Sequence, residues 1–396
     1  MADRTPPDIT RGHGKDRGGS SGKVADFRYK RPSRPEHRSA APRPSPVRLN
    51  GASQAEARAA RQAYAALDLG TNNCRLLIAR PSGENFTVID AFSRVVRLGE
   101  GLAMNGHLSD AAMERTLAAL HVCAEKLRRR HVRLARSVAT EACRRASNGE
   151  AFIERVREET GIALDIISAQ EEARLAVLGC HVLLEEGPGP TVVFDIGGGS
   201  TELVLVEPSG AVPRIIDWMS VPYGVVSLSD TVTGSDASEA DRLSRYDEMR
   251  RTVRESFAPF TERVTGYSRD PAGIRLLGTS GTVTTLASVH LGLPQYDRQA
   301  VDGLIVESPA MRDISVRLSR MSQAERCTLP CIGDDRANLV VAGCAILESI
   351  LDIWPSPTLG VADRGIREGI LRSLIASDVE GEKSRAEIMR LRERDL

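Results

Sequence analysis

Two stretches of this chain share one layout: ALDLGTNNCRLLIA, beginning at Ala66, and VFDIGGGSTELVLV, beginning at Val193. Each ends an apolar run on an acid, makes a turn of small and hydrogen-bonding residues, and continues into a second apolar run. That pattern reads as strand, turn, strand. Asp68 aligns with Asp195 and Gly70 with Gly197, about 127 residues apart, so the chain contains an internal duplication. Two copies of one α/β unit that face each other make a cleft, with a polar turn on either wall.

The elements around each copy fit that arrangement. AALDLGTNNCRLLIAR reads as strand, turn and strand, NFTVIDAFSRVVRLGEGL as a third strand and a loop, and SDAAMERTLAALHVCAEKLRRR (109–130) as an amphipathic helix opened by Ser109. VRLARSVAT is a strand, NGEAFIERVREETG a helix closed by Gly161, and ALDIIS a strand that ends where Ser168 opens another helix. This order gives an α/β layer with an antiparallel hairpin edge. The second copy starts again with strand, polar turn and strand, and helices and short strands run on to about residue 375. The expected division is a disordered basic tail over 1–62, a first domain over 63–173, a second over 174–375, and a charged helix or tail over 376–396.

The 396 residues carry no net charge, yet residues 1–60 hold 13 Lys/Arg against 6 Asp/Glu and the remainder 40 against 47. A strip of about +7 therefore precedes a body of about −7. With seven prolines and two aromatics, the strip has too little apolar surface to order itself. It reads either as a tether for a polyanion or as a solvated leader. No apolar window reaches the length of about 18 residues that a membrane helix needs, and the N-terminus lacks the apolar core of a secretory signal. A cytoplasmic location is expected. The seven cysteines are odd in number and scattered, which argues for reduced thiols, and the CxxxC of Cys327 and Cys331 has no second pair for zinc.

Glycine in both turns lets backbone N–H groups approach a ligand with no Cβ in the way, and such a nest suits phosphate oxygens. Gly70, Gly197, Gly198 and Gly199 supply that backbone, while Thr71, Asn72, Asn73, Ser200 and Thr201 add side-chain donors. Asp68 and Asp195, at strand ends, are placed to hold a hydrated Mg2+, which takes carboxylate oxygens, water and substrate phosphates together. SAQE at 168–171 is a capping box in which Ser168 caps the next helix and Glu171 satisfies its backbone. Glu172 is then left without a capping role, although a glutamate in a first turn also suits the helix dipole alone.

The paired turns resemble those of the actin-like ATPase superfold. LDLGTNNCRLLIAR, ATEACRRASNG, ISAQEEARLA, VFDIGGGSTELVLV, LLGTSGTVTTLA and VADRGIREGIL also follow one another in the order of the exopolyphosphatase/guanosine pentaphosphatase (Ppx/GppA) family, over residues 63–375. The resemblance implies two duplicated actin/Hsp70/sugar-kinase-like (RNase H-like) domains facing a central cleft. It also implies removal of a terminal phosphate from inorganic polyphosphate, or of the 5′ γ-phosphate of guanosine pentaphosphate (pppGpp), with Mg2+ and with water as nucleophile. It makes Glu172, the second Glu of EEAR, the general base. By the same resemblance Arg144 is a phosphate contact with Arg97 a weaker candidate, Glu202 is a metal or water contact, and Gly278, Ser280 and Gly281 join the phosphate-binding set. The sequence departs from the family at Glu141, where a smaller or polar residue is usual, and at Cys143, usually Leu. A carboxylate at 141 would repel phosphate, so Glu141 is expected to point out of the cleft. Arg364 with Asp363 reads either as a structural ion pair or as a substrate contact. The resemblance also allows a homodimer.

Other chemistries fare worse. Cys123 and Arg129 have the C-x5-R spacing of cysteine phosphatases but lie in an amphipathic helix with no glycine, which cannot wrap a phosphate. The seven histidines form no zinc-hydrolase pattern, and there is no GxxxxGK[ST]. RRRH at 128–131 suits a helix C-terminus better than a nucleic-acid patch. Three functions remain: a phosphatase acting on polyphosphate or pppGpp, with polyphosphate preferred; an actin-like kinase, for which LLGTSGTVTTLA is the candidate adenine pocket; and a catalytically silent binder of alarmone or polyphosphate. No membrane and no specific nucleic acid is expected as partner.

Overall fold

Ala63–Leu69 forms β1, a strand buried along its whole length, as befits a continuous apolar run flanked by strands on both edges. In this computed structural model residues 62–394 are described apart from 84, 185–188, 208–212 and 268–272, and side chains are described up to residue 381 except 379. The tail expected over 1–62 lies, but for Gln62, outside the described residues. β1 pairs antiparallel with β2 (Asn73–Ser82) and parallel with β4 (Val132–Ala139). With β3 (Asn85–Val95) and β5 (Leu164–Ile166) they make a sheet of order β3-β2-β1-β4-β5.

The second sheet contains β6 (Thr191–Ile196), β7 (Thr201–Glu207), β8 (Arg214–Val221), β9 (Arg275–Thr279), β10 (Ile305–Glu307) and β11 (Thr358–Ala362). Its order, β8-β7-β6-β9-β11-β10, retraces the first sheet and adds β10 antiparallel at the far edge. β6 is antiparallel to β7 and parallel to β9, as β1 is to β2 and β4. Asp68 and Asp195 are each the penultimate residue of the central strand. The molecule is a duplicated α/β fold of the actin, Hsp70 and sugar-kinase kind.

Local signals set the helices that matter for the cleft. Ser109 Oγ accepts from Ala112 N–H at 3.3 Å and opens Asp110–Arg129, and Gly161, at φ 74, closes Gly149–Thr160. Ser168 Oγ accepts from Glu171 N–H at 3.2 Å and opens Ala169–Cys180. That helix buries Leu175 in a cluster with Tyr64 and Val138 of the first half, and Ala173, Val177 and Cys180 in a cluster with Val193 and Leu277 of the second. A single helix thus packs on both sheets.

The C-terminal helix Ile366–Arg394 crosses it at backbone contact. A Cβ on Gly179 would lie 2.0 Å from Gly365 O, and one on Gly369 2.0 Å from Leu175 O, so both crossings require glycine. Ile370 and Leu371 then pack with Tyr64 and Leu77, so the chain after β11 returns to the first sheet, and a domain limit at 375 falls inside this helix. The larger core lies in the second half, where Phe260 meets Trp354 edge-on at 5.9 Å. No helix among the described residues is long and apolar enough to cross a membrane.

Candidate active site

A cavity of about 130 Å³ opens between the halves, and both polar turns line it. The turns close in the same way: Gly70 N–H donates to Asn73 O, and Gly197 N–H to Ser200 O, each at 2.9 Å. Gly70 and Gly197–Gly199 all avoid positive φ, so conformational freedom is not what requires glycine here. Close approach is. A Cβ on Gly198 would stand 3.0 Å from Thr71 Cβ, and one on Gly199 2.5 Å from Thr71 Oγ1. The first turn therefore packs directly on the second.

The helix Val225–Thr231 fixes the orientation of the second turn. Val225 N–H donates to Gly197 O at 2.9 Å and Val226 N–H to Gly198 O at 2.8 Å. In a trans peptide the next N–H points opposite its carbonyl. Binding these two carbonyls to the helix N-terminus thus turns the N–H groups of Gly198 and Gly199 the other way, available to an anion.

Electrostatics divide the walls. Hairpin register sets Arg75 across from Asp68, and Glu202 across from Asp195. Burial pushes Asp68 up, with Arg75 pulling it back. In the second half burial carries Asp195 to about 6 and Glu202 to about 7, the nearby Asp195 adding to the latter. Glu202 Oε1 accepts from Ser200 Oγ at 2.6 Å and from Ser220 Oγ at 2.9 Å. Glu172, in the first turn of the bridging helix, is buried and lines the same cavity. Burial first, then Glu202, raise it well above the usual carboxylate range, against the pull of Arg144.

These carboxylates suit a hard cation. Among the described residues no three His, Cys, Asp or Glu side chains close into an all-protein cage, and Mg2+ does not need one, because it commonly takes one or two carboxylates with water and phosphate oxygens. Asp68 and Asp195 meet that requirement, with Glu202 beside them. The buried Oδ1 of Asn72 has no hydrogen-bonding partner among the described residues and offers another hard oxygen. The donor set fits Mg2+.

Comparison with known proteins agrees with this geometry. Residues 77–378 match the Ppx/GppA phosphatase family. The chain belongs to that family. A relative named exopolyphosphatase 2, from Mycobacterium tuberculosis, is 31% identical over 326 residues, covering 78% of this chain and 98% of the relative. A Ppx/GppA family member from Aquifex aeolicus, of known structure, is 28% identical with a TM-score of 0.65, covering 80% of this chain and 98% of that one. An exopolyphosphatase from Cytophaga hutchinsonii shares the fold at 23% identity, with a TM-score of 0.71 and coverage of 80% and 98%. As a Ppx/GppA protein the chain is a phosphoanhydride hydrolase.

Most residues singled out from sequence meet at the Ppx/GppA cleft: Asp68, Gly70, Thr71, Asn72, Asn73, Glu172, Asp195, Gly197, Gly198, Gly199, Ser200, Glu202, Ser280 and Gly281 all line the cavity. Ser280 does so with φ 80, its Oγ donating to Ile196 O at 2.6 Å. That backbone costs about 1–3 kcal/mol for a residue with a Cβ, and such strain gathers at functional sites. Three others lie off the wall. Thr201 Oγ1 donates to Tyr223 O at 2.7 Å. Gly278 is glycine because a Cβ would stand 2.6 Å from the Phe194 ring. Arg144 sits behind the wall, its guanidinium on Glu141 and Glu172.

Several expectations need correction. Glu141 does not point out: it is buried and lines the cavity, made tolerable there by Arg144 at 2.5 Å and Arg145 at 3.7 Å. Glu171 does not close a capping box, because Arg136 at 2.9 Å and Arg174 at 2.7 Å take its carboxylate. Arg364 and Asp363 are not each other's partners; Arg364 pairs with Asp302 at 2.7 Å and Asp363 with Arg298 at 3.2 Å. Arg97 lies on the exposed rim, 3.4 Å from Asp335 of the other half.

The sequence reading missed Arg75, Arg336, Thr282 and Thr285, all on the cavity wall. Arg75 had a signal, since a four-residue turn after Leu69 sets it cross-strand from Asp68. Arg336, whose Nη1 lies 2.5 Å from Thr285 Oγ1, had none: it projects from the five-residue helix Gly333–Ala337, far along the chain from either turn.

Proposed function

We propose that this chain is a Mg2+-dependent exopolyphosphatase that removes the terminal phosphate of inorganic polyphosphate, with water as nucleophile and Glu172 as general base. One observation carries the reading: Glu172 opens onto the cavity that both turns and both strand-end aspartates line, from the helix that packs on both sheets. The N–H groups of Gly198 and Gly199, with the hydroxyl of Thr71, bind the terminal phosphate. Arg75 and Arg336 add positive charge for the phosphate behind it. Glu172 orients the attacking water and accepts its proton. Mg2+, held by Asp68 and Asp195 with Glu202 assisting, would neutralise charge on the non-bridging oxygens. Positive charge in the cavity also favours ionised Glu172, which burial alone disfavours, and a base must be ionised to act.

The name of the mycobacterial relative supports polyphosphate. Hydrolysis of pppGpp at its 5′ end is the second reading, because the cavity presents groups for terminal phosphates and the same anhydride is cleaved. Phosphate release from long polyphosphate, pppGpp and ATP, each with Mg2+, separates these two from each other and from a kinase or a silent binder. Glu172→Gln is expected to lower kcat by about 10² to 10⁴ while substrate still binds. Retention of more than a third of wild-type kcat would overturn the assignment of the base.

A further inference from the structure

Arg144 is surrounded by acceptors. Its Nε and Nη2 donate to Glu141 Oε2 at 3.1 and 2.5 Å, its Nη1 and Nη2 to Glu172 Oε2 at 3.2 Å each, and its Nη1 also to the carbonyl of Ile167 at 2.7 Å. A guanidinium has five N–H donors in a fixed fork. These five contacts occupy all of them, so none is left for a phosphate oxygen.

Glu141 is itself firmly placed. It is buried, its Oε1 lies 3.7 Å from Arg145 Nε, and its Cγ is so close to the second turn that a Cβ on Gly199 would come within 3.0 Å of it. A short polar residue at 141 could not reach Arg144, and the two N–H groups that Glu141 now takes, just behind the cavity wall, would lose their acceptor. A buried donor without a partner is costly, so those groups would take a phosphate oxygen.

We propose that Glu141 is a positioning residue that keeps Arg144 as the partner of Glu172 and withholds it from the terminal phosphate. On this account phosphate is bound by the turns with Arg75 and Arg336, while Arg144 aims the base. The inference rests on the reading of Glu172 as general base, and it predicts a trade: a weaker hold on the ground-state phosphate in return for a better-oriented carboxylate. Glu141 also brings a negative charge to the cavity wall, which weakens the hold further.

The test is steady-state kinetics on tripolyphosphate with Mg2+, using Glu141→Ser, Arg144→Lys and the double variant, with folding followed by thermal melting. Glu141→Ser is expected to lower KM by about 3- to 10-fold, because it frees charged donors and removes a like charge. It is expected to lower kcat by about 10-fold, because the base loses its orientation. A merely structural loss would not improve KM. Arg144→Lys in the wild-type background is expected to reduce kcat by about 10-fold with KM within about twofold, and in the Glu141→Ser background to abolish the gain in KM. A KM raised about tenfold or more by Arg144→Lys alone would show that Arg144 already grips phosphate and would overturn the proposal. So would a Glu141→Ser enzyme with both parameters unchanged. If Glu141→Ser fails to fold, Arg144→Lys in the wild-type background decides. An active Glu172→Gln enzyme would remove the base assignment, and the KM results would still decide whether Glu141 withholds Arg144.

Discussion

In the first half, the hairpin that follows the central strand sets Arg75 across from Asp68; in the second, the equivalent position holds Glu202, across from Asp195. Backbone, register and turn closure are the same, and the charge is opposite. Asp68 has a cation within its own hairpin to offset its burial. Asp195 faces another acid, and burial raises the two to about 6 and about 7, with Arg75 drawing Asp195 down and Asp195 pushing Glu202 further up. The comparison teaches that duplication fixed where side chains point, and that one later difference in residue type divided the labour: one wall brings its own positive charge, the other awaits a proton or a metal.

The largest effect should come from removing that waiting charge. Asp195→Asn is expected to raise the Mg2+ concentration for half-maximal activity by about 10- to 100-fold, and Asp68→Asn, with Arg75 beside it, by less. Magnesium titration of both variants decides the matter. Equal shifts would mean that the two walls hold the metal symmetrically, and an Asp195→Asn enzyme that titrates like wild type would place the metal elsewhere.

The contrast of charge recurs on a larger scale between the strip of about +7 in residues 1–60 and the body of about −7. A polyanion nearing the body is repelled over roughly 8 Å at physiological salt, and a tethered basic strip offsets that field for any chain long enough to touch both. Deleting residues 1–60 is expected to raise KM several-fold for polyphosphate of hundreds of units at low salt, leaving kcat and the KM for tripolyphosphate unchanged. Equal KM values on long chains at low KCl would show the strip to be a solvated leader.

The smallest effect is on stability. Asp195 and Glu202 have folded pKa values above their ordinary ones, so in metal-free protein the folded state binds more protons than the unfolded state between roughly pH 4 and 7. Their contribution is therefore present at low pH and is lost as pH rises through about 6 and about 7. In EDTA the Tm should fall by about 5 °C between pH 5 and pH 8, and Glu202→Gln should flatten that slope. A Tm of the variant that follows the wild-type curve would show that Glu202 carries no such proton linkage.

The sequence by itself determined the duplicated strand-turn-strand units, the cleft between turns that end at Asp68 and Asp195, and the helices opened by Ser109 and Ser168, which rest on period, turn chemistry and capping. Glu172 joined that cleft through the resemblance to the Ppx/GppA family. Tertiary structure alone decided the rest. Glu141 could face inward only because Arg144 and Arg145 stand by it, and Arg144 could hold Glu172 only because the bridging helix brings that acid to it. Glu171 left its capping role for Arg136, and Arg364 left Asp363 for Asp302. Arg336 reached the cavity from a short helix of the second half. Charged side chains are long, and several partners are within reach of each; which one wins depends on burial and on neighbours brought from distant parts of the chain, and neither is written in local spacing.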